Sequence, residues 1–297
     1  MCVDLLAGTV YAPVPMVPRP PTILVFDSGL GGLTVLAELR KARPDARFVY
    51  AADDAGFPYG RLDEDLLVAR VLAVMELLVA RHAPDLVVVA CNTASTLLLP
   101  HLRRRFDMPF VGTVPAIKPA AGLSKSKRVS VLGTPGTVAR DYTRDLIQTY
   151  AGDCKVMLVG ARRLAALAEG ELCGAPAPDA DIRAEIEPCF VADGAGRTDV
   201  VVLACTHYPL LLPRLRRLAP WPVMWIDPAP AIARRMLQLT GEPRTDGKAD
   251  EGGSLAVFTG GEAVNAPLRA ALAQRGLSKV LVEAMPLTGL NTLTPQA

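Results

Sequence analysis

Short apolar runs alternate with amphipathic helical patterns along most of this chain. TILVF (22–26), ARFVYAA (46–52) and LVVVA (86–90) are each followed by a segment with helical periodicity. Parallel strands need a long crossover connection between them, and a helix usually supplies it. The alternation therefore predicts parallel sheets that carry helices on both faces.

The same alternation starts again in the second half of the chain. RVSVLG (128–133), KVMLV (155–159) and VVVLA (200–204) are again separated by helical patterns. The chain has 297 residues, which at roughly 150 residues per domain suggests two domains. The helical patterns cover residues 31–43, 63–82, 93–106, 135–150, 180–193, 209–219 and 262–275.

Proline-containing junctions place the domain boundaries. We predict two pseudo-symmetric α/β domains, each a mainly parallel sheet flanked by helices. The first domain comprises residues 22–115 and 227–297, and the second comprises residues 116–226. Residues 1–21 are rich in proline and predict a flexible extension. Residues 242–254 contain three glycines and predict an exposed loop.

Charge and cysteine content exclude several classes of protein. The 32 Lys and Arg residues nearly balance 30 Asp and Glu residues, and the basic clusters at 102–105 and 214–217 lie on helical faces, so no nucleic-acid partner is predicted. No apolar run reaches the roughly 18 residues of a membrane span. Six cysteines without a CxxC pair predict reduced thiols in a cytoplasmic protein and no metal site.

Two segments of the chain have nearly the same sequence. DLVVVACNT occupies residues 85–93 and DVVVLACTH occupies residues 199–207. Their cysteines are Cys91 and Cys205. A cysteine at the end of a buried strand is usually a small apolar core residue, but the polar residues that follow these two are not typical of a core. The duplication predicts that each half of the chain brings one thiol to a shared site.

Polar clusters follow the predicted strands at several other points. In open parallel sheets, ligands bind outside the carboxyl ends of the strands, close to helix N-termini. The clusters are DSGLGG (27–32), FPYG (57–60), CNT (91–93), GTPGT (133–137) and CTH (205–207). Asp27 would repel a phosphate but suits an ammonium group, so an amino acid is a better ligand than a nucleotide.

Two thiols on opposite sides of a small polar pocket suit the inversion of a stereocentre. One thiolate removes a proton from a carbon, and one thiol delivers a proton to the opposite face. A free thiol has a pKa of about 8.5, so a thiol that acts as a base near neutrality needs a neighbour that lowers its pKa. His207 is placed to serve Cys205, and Asp27 is a candidate to serve Cys91. Hydrogen bonds to the substrate carboxylate would stabilise the carbanion.

Five ordered motifs resemble those of a known family. FDSGLGGLTVL, AADDAGFPYG, VVVACNTAS, VLGTPGT and VVLACTHYPLL occur in that order within residues 22–260. They resemble the glutamate racemases of the aspartate/glutamate racemase superfamily. The resemblance implies interconversion of L- and D-glutamate without a cofactor, supply of D-glutamate for peptidoglycan, two α/β domains with the active site between them, and a homodimer.

The resemblance also implies roles for individual residues. Cys91 and Cys205 match the two catalytic acid/bases, Asp27 and His207 match their assisting groups, and Glu169 aligns with a further assisting glutamate. The implied substrate-binding residues are Asp27, Ser28, Tyr59, Gly60, Asn92, Thr93, Thr137, Thr206 and His207, with Thr134 as a further contact.

Three other functions remain open at the level of sequence. A racemase of the same fold could act on aspartate or another acidic amino acid, because pocket size decides between these substrates. A thiol enzyme could use one cysteine as a covalent nucleophile, although such catalysis needs one thiol and a base rather than a duplicated pair. The chain could also bind an amino acid without catalysing a reaction.

Overall fold

A computed structural model describes residues 19–194, 196–243, 253–262 and 264–285 of the chain. Of the predicted N-terminal extension, only residues 19–21 lie within these ranges. Most of the predicted loop at 242–254, and the end of the predicted first domain beyond residue 285, also lie outside the described residues.

Strands and helices alternate through the described residues. The strands are β1 (Thr22–Asp27), β2 (Arg47–Ala52), β3 (Leu86–Val89), β4 (Phe110–Gly112), β5 (Arg128–Gly133), β6 (Lys155–Gly160), β7 (Ala192–Asp193), β8 (Gly196–Arg197), β9 (Val200–Ala204), β10 (Met224–Ile226), β11 (Leu255–Phe258) and β12 (Lys279–Val282). The helices are α1 (Leu33–Ala42), α2 (Glu64–His82), α3 (Asn92–Arg105), α4 (Ile117–Leu123), α5 (Pro135–Ala139), α6 (Asp141–Tyr150), α7 (Leu164–Leu172), α8 (Asp179–Ile186), α9 (Leu212–Leu218), α10 (Ala229–Thr240) and α11 (Ala266–Gln274).

The first sheet has the strand order β12-β11-β2-β1-β3-β4, and its strands pair in parallel. Successive residues of a strand point to opposite faces. Val25 accordingly packs with Leu36 of α1 and Met236 of α10, whereas Leu24 packs with Val71 of α2 and other residues on the opposite face. Burial on both faces explains why these strands read as continuous apolar runs.

The second sheet has the order β10-β9-β5-β6 and is also parallel. Leu132 and Leu203 pack on α7, α8 and α9, and Val131 and Val202 pack on α4 and α6. The predicted fold class, two parallel α/β sheets flanked by helices, is confirmed. The chain divides between the sheets within the predicted domain segments, but the domain boundaries stay a prediction. Among the helices described, none is both long and apolar enough to cross a membrane.

The order in which the chain adds strands changes direction in both sheets. After β1 the chain adds β2 on one side and then β3 on the other, and after β5 it adds β6 and later β9 on the opposite side. A crevice opens at such a switch point, at the carboxyl ends of the strands. Cys91 follows β3 and Cys205 follows β9, so the switch points explain why the duplicated segments reach the site.

Several predicted helices differ from the observed ones. The helix predicted at 135–150 is two helices, because Arg140 has extended backbone angles (φ −66°, ψ 138°) and Thr143 Oγ1 donates to the carbonyl oxygen of Thr137 at 2.7 Å. The pattern at 180–193 ends as a helix at Ile186, and a single 3₁₀ turn and the short strand β7 follow. The apolar and helical patterns of the sequence do not predict β4, α4 or α7, which are short elements.

Candidate active site

A small cavity lies between the carboxyl ends of the two sheets. Its walls come from the loops after β1, β2 and β3 on one side, and from the loops after β5 and β9 together with α7 on the other. The lining residues are Ser28, Phe57, Pro58, Tyr59, Gly60, Cys91, Asn92, Thr93, Thr134, Ala165, Cys205, Thr206 and His207. Both thiols of the duplicated segments therefore face one enclosed space.

Cys91 immediately precedes α3 and is only 6% exposed. Its Sγ lies 3.7 Å from Ser28 Oγ. The sequence leads one to expect a neighbour that lowers the pKa of this thiol, but the structure shows the opposite. Burial raises the pKa of Cys91 well above its usual value, and the nearby Asp27 raises it further, since both disfavour a negative sulfur. Both effects favour the protonated thiol at Cys91.

Cys205 has a different environment, although it is equally buried. Its Sγ lies 3.6 Å from His207 Nδ1, and His207 Nε2 lies 2.7 Å from Glu169 Oε1. Burial lowers the pKa of His207, but hydrogen bonds to Cys205 and Glu169 outweigh burial and raise the pKa well above its usual value. These contacts favour the protonated, positively charged imidazole, which lies directly beside the Cys205 sulfur.

Glu169 connects the two sheets as well as orienting His207. It lies on α7, next to the second sheet, and its Oε1 accepts a hydrogen bond from the backbone N–H of Leu30 at 2.7 Å. Thr34 Oγ1 donates to the carbonyl oxygen of Thr206 at 3.0 Å from the same side. The loop after β1 is thus held against the Cys205 side of the cavity.

Asp27 ends β1 and is fully buried behind the cavity wall. Its Oδ2 accepts from the backbone N–H of Gly32 at 2.7 Å, while Oδ1 has no hydrogen-bond partner within the described part of the chain. Burial raises the pKa of Asp27, although His207 and the Gly32 amide oppose the shift. Burial of this kind disfavours the charged form of a carboxyl group relative to its form in water.

Asn92 has a side chain that is ready to bind a polar ligand. It occupies the first turn of α3 and is 2% exposed. Neither its Oδ1 nor its Nδ2 has a hydrogen-bond partner among the described residues. A buried amide without partners costs about 1–3 kcal/mol, so a ligand that satisfies it gains affinity.

Three hydroxyl groups meet on the other side of α3. Thr93 Oγ1 lies 3.0 Å from Thr134 Oγ1 and 3.3 Å from Thr137 Oγ1, and the two hydroxyls of Thr134 and Thr137 are 3.0 Å apart. Thr134 also caps α5 by accepting from the N–H of Thr137 at 3.2 Å. Each hydroxyl has one hydrogen, so the group can donate a hydrogen bond to a carboxylate in addition to the contacts among its members.

The structure brings most predicted site residues to the cavity wall. Ten of them line it: Ser28, Tyr59, Gly60, Cys91, Asn92, Thr93, Thr134, Cys205, Thr206 and His207. Asp27, Thr137 and Glu169 are not part of the lining and lie behind it. Thr137 contacts Thr93 and Glu169 contacts His207, both of which line the cavity. Ala165 lines the cavity but has no polar group, so nothing in its sequence context marks it.

The sequence and fold are both similar to those of characterised proteins. Residues 33–236 match the family model described as Asp/Glu/Hydantoin racemase. The glutamate racemase of Brucella ovis is 56% identical over 254 residues, which cover 85% of this chain and 91% of that protein. This chain belongs to the glutamate racemase family.

Other glutamate racemases extend the comparison. The protein of Agrobacterium fabrum is 56% identical over 241 residues, covering 81% of this chain and 88% of its own length. Escherichia coli glutamate racemase, crystallised with L-glutamate and the activator UDP-MurNAc-ala, superposes with a TM-score of 0.81 at 40% identity, covering 90% of this chain and 99% of that one. The similarity to glutamate racemases thus extends from the sequence to the three-dimensional fold.

Proposed function

We propose that this chain interconverts L-glutamate and D-glutamate by a two-base mechanism in which Cys91 and Cys205 are the acid/bases. The observation that carries the mechanism is that two buried thiols from duplicated strand ends line one cavity in unlike surroundings. The family membership supports the reaction and the substrate.

In the proposed resting state, Cys205 is a thiolate beside the His207 imidazolium and Cys91 is a thiol. The Cys205 sulfur takes the proton from the α-carbon, and the bond electrons remain on the substrate as a carbanion. Cys91 then gives its proton to the opposite face, so one proton is lost and one gained while the stereocentre inverts. Reaction from the other enantiomer uses the opposite roles.

The remaining polar groups of the cavity are proposed to bind glutamate. Ser28, Asn92, Thr93 and Thr206 donate hydrogen bonds to carboxylate oxygens, and donors aimed at the α-carboxylate stabilise the carbanion as its charge develops. The negative charge of Asp27 favours the substrate ammonium group. The scheme consists of proton transfers alone, so it needs no cofactor.

The biological setting follows from the same proposal. D-Glutamate made by this chain would serve peptidoglycan synthesis in the cytoplasm. We also propose that the chain forms a homodimer, which light scattering in solution can test directly.

Deuterium incorporation tests the proposed reaction. Incubation of the protein with L-glutamate in heavy water, without added cofactor, is expected to give D-glutamate that carries deuterium at the α-carbon, because the incoming proton comes from a thiol that has exchanged with solvent. Chiral chromatography with mass spectrometry measures both changes. Absence of exchange with either enantiomer would disprove the function, and faster exchange of aspartate would reassign the substrate.

Replacing Glu169 by glutamine is expected to move the alkaline limb of the pH profile of kcat/KM to lower pH. Glu169 raises the pKa of His207 and burial lowers it, so removing the carboxylate lowers that pKa. The imidazolium beside the Cys205 sulfur is then lost at lower pH.

Glu171→Gln is the matched control for this shift. Glu171 lies on the same helix but pairs with Arg214 instead of with His207, so its profile is expected to keep the wild-type limb. An unshifted limb in Glu169→Gln would show that Glu169 does not support the charge of His207.

A further inference from the structure

We propose that Asp53 is a positioning residue that holds the Tyr59–Gly60 wall of the cavity in its binding shape, and that Arg70 and Thr259 act through it. This inference rests on the proposed function, because its effect is measured as binding of glutamate. Asp53 and Arg70 do not line the cavity, and the hydrogen bond from Tyr59 to Asp53 connects them to it.

Asp53 directly follows β2 and is completely buried. Its Oδ2 accepts from Tyr59 Oη at 2.6 Å and from Arg70 Nε at 3.0 Å. Its Oδ1 accepts from Arg70 Nη2 at 2.5 Å and from Thr259 Oγ1 at 2.6 Å. One carboxylate therefore gathers donors from the cavity loop, from α2 and from the end of β11.

The Asp53–Arg70 pair is costly to bury. Both side chains are at most 3% exposed, and a buried ion pair is often no more stabilising than apolar residues of the same volume. Its distinctive property is geometry, because a guanidinium that binds a carboxylate through two nitrogens fixes the orientation of both groups. Here the carboxylate so fixed receives the phenol of Tyr59.

Tyr59 uses its only hydroxyl hydrogen in this contact. Burial raises the pKa of Tyr59 well above its usual value, and the charge of Asp53 raises it further, so the phenol stays neutral and donates to Asp53. Tyr59 therefore contributes the shape of its ring and the position of its backbone to the cavity, next to Gly60. The ring is 2% exposed and packs near Phe26, with 6.5 Å between ring centroids.

The same loop is tied to two other parts of the first sheet. The backbone N–H of Asp53 donates to the carbonyl oxygen of Asp27 at 2.8 Å. The neighbouring carboxylate of Asp54 accepts from the N–H groups of Gly260 and Gly261, each at 2.7 Å. These hydrogen bonds fix the cavity loop relative to Asp27 and to the end of β11. The Asp53 side chain in turn fixes Tyr59 relative to the same elements through its hydrogen bond to the phenol.

Variants of this network test the proposal. We expect Tyr59→Phe to raise KM for glutamate about tenfold with kcat changed less than about threefold, because the thiols lie on other loops and only binding is loosened. Arg70→Lys keeps the charge but loses the two-point contact, and is expected to raise KM similarly. The double variant is expected to have the KM of Tyr59→Phe within about twofold, since the connection is already broken.

Arg43→Lys separates positioning from stability. Arg43 also forms a buried two-point pair, with Asp45 at 2.8 and 2.9 Å, and neither residue is part of the cavity lining. It is expected to lower Tm about as much as Arg70→Lys and to leave KM unchanged. If Arg70→Lys is poorly folded, Thr259→Val, which removes one donor to Asp53, replaces it in the same comparison.

The outcomes are distinct from those that test the proposed function. Two results would overturn the role of Asp53 while the wild type still racemises glutamate. One is a double variant in which the increases in KM of the two single variants multiply. The other is an Arg70→Lys variant with a lower Tm but the wild-type KM. A wild-type protein that does not racemise glutamate would instead overturn the proposed function.

Discussion

Cys91→Ser and Cys205→Ser are each expected to lower the kcat for glutamate racemisation about 10³-fold, within the range for loss of a general acid or base. A serine hydroxyl is a far weaker acid than a thiol, so at neutral pH it neither becomes the base nor gives up a proton readily. Because the mechanism uses both sulfurs in each direction, either substitution should reduce turnover from both enantiomers. Circular dichroism of the product mixture, started from each enantiomer, measures these rates.

Cys154→Ser is the matched control. Cys154 is partly exposed, lies before β6 and does not line the cavity, so its replacement is expected to leave kcat unchanged. Near-wild-type turnover in either Cys91→Ser or Cys205→Ser would show that the two-base mechanism is wrong, and it would favour a single covalent thiol instead.

Gly31→Ala is expected to lower kcat/KM about 100-fold, the cost of displacing a catalytic group by about 1 Å. A Cβ at this position would lie 2.4 Å from His207 Nδ1, 2.6 Å from its backbone nitrogen and 2.7 Å from Thr206 Oγ1. Real Cβ atoms do not approach other atoms this closely, so the loop after β1 and the loop after β9 must separate. Separation moves His207 away from its observed position beside Cys205, which weakens the interaction between the imidazole ring and the sulfur.

Gly122→Ala gives the comparison for an ordinary glycine. Gly122 lies in α4, and a Cβ added there meets no atom within 4 Å. Alanine in a helix is favoured over glycine by about 0.5–1 kcal/mol, so this variant should be active and slightly more stable. Full activity in Gly31→Ala would mean that the two loops do not need their observed contact during turnover.

The strands could be predicted well because their signal is local. A run such as LVVVA is buried on both faces in a parallel sheet, and its residues are continuously apolar because every side chain is buried. The short elements were harder to predict. β4 has three residues, and α5 and α6 form one uninterrupted helical pattern that the hydrogen bond from Thr143 to Thr137 helps to interrupt. That interruption depends on a contact and not on the periodicity of the segment.

Site residues differ in the same way. The polar clusters at strand ends, including Cys91 and Cys205, were visible because polar residues directly after an apolar run are unusual. Glu169 has no such context within α7, and the resemblance to relatives alone indicated it. Asp53 and Arg70 are ordinary charged residues in the sequence, and they become notable only as a buried pair behind the cavity.

The sequence by itself determined the α/β fold and the two strand ends that carry thiols, because strand and helix periodicities and polar clusters are properties of short segments. The tertiary structure decided how the two thiols differ. Burial and Asp27 keep Cys91 protonated, while Glu169, which is 38 residues away in sequence, supports a charged His207 beside Cys205. Proton affinities depend on desolvation and on charges brought together by folding, so two segments of similar sequence acquire unlike electrostatic surroundings only in the folded protein.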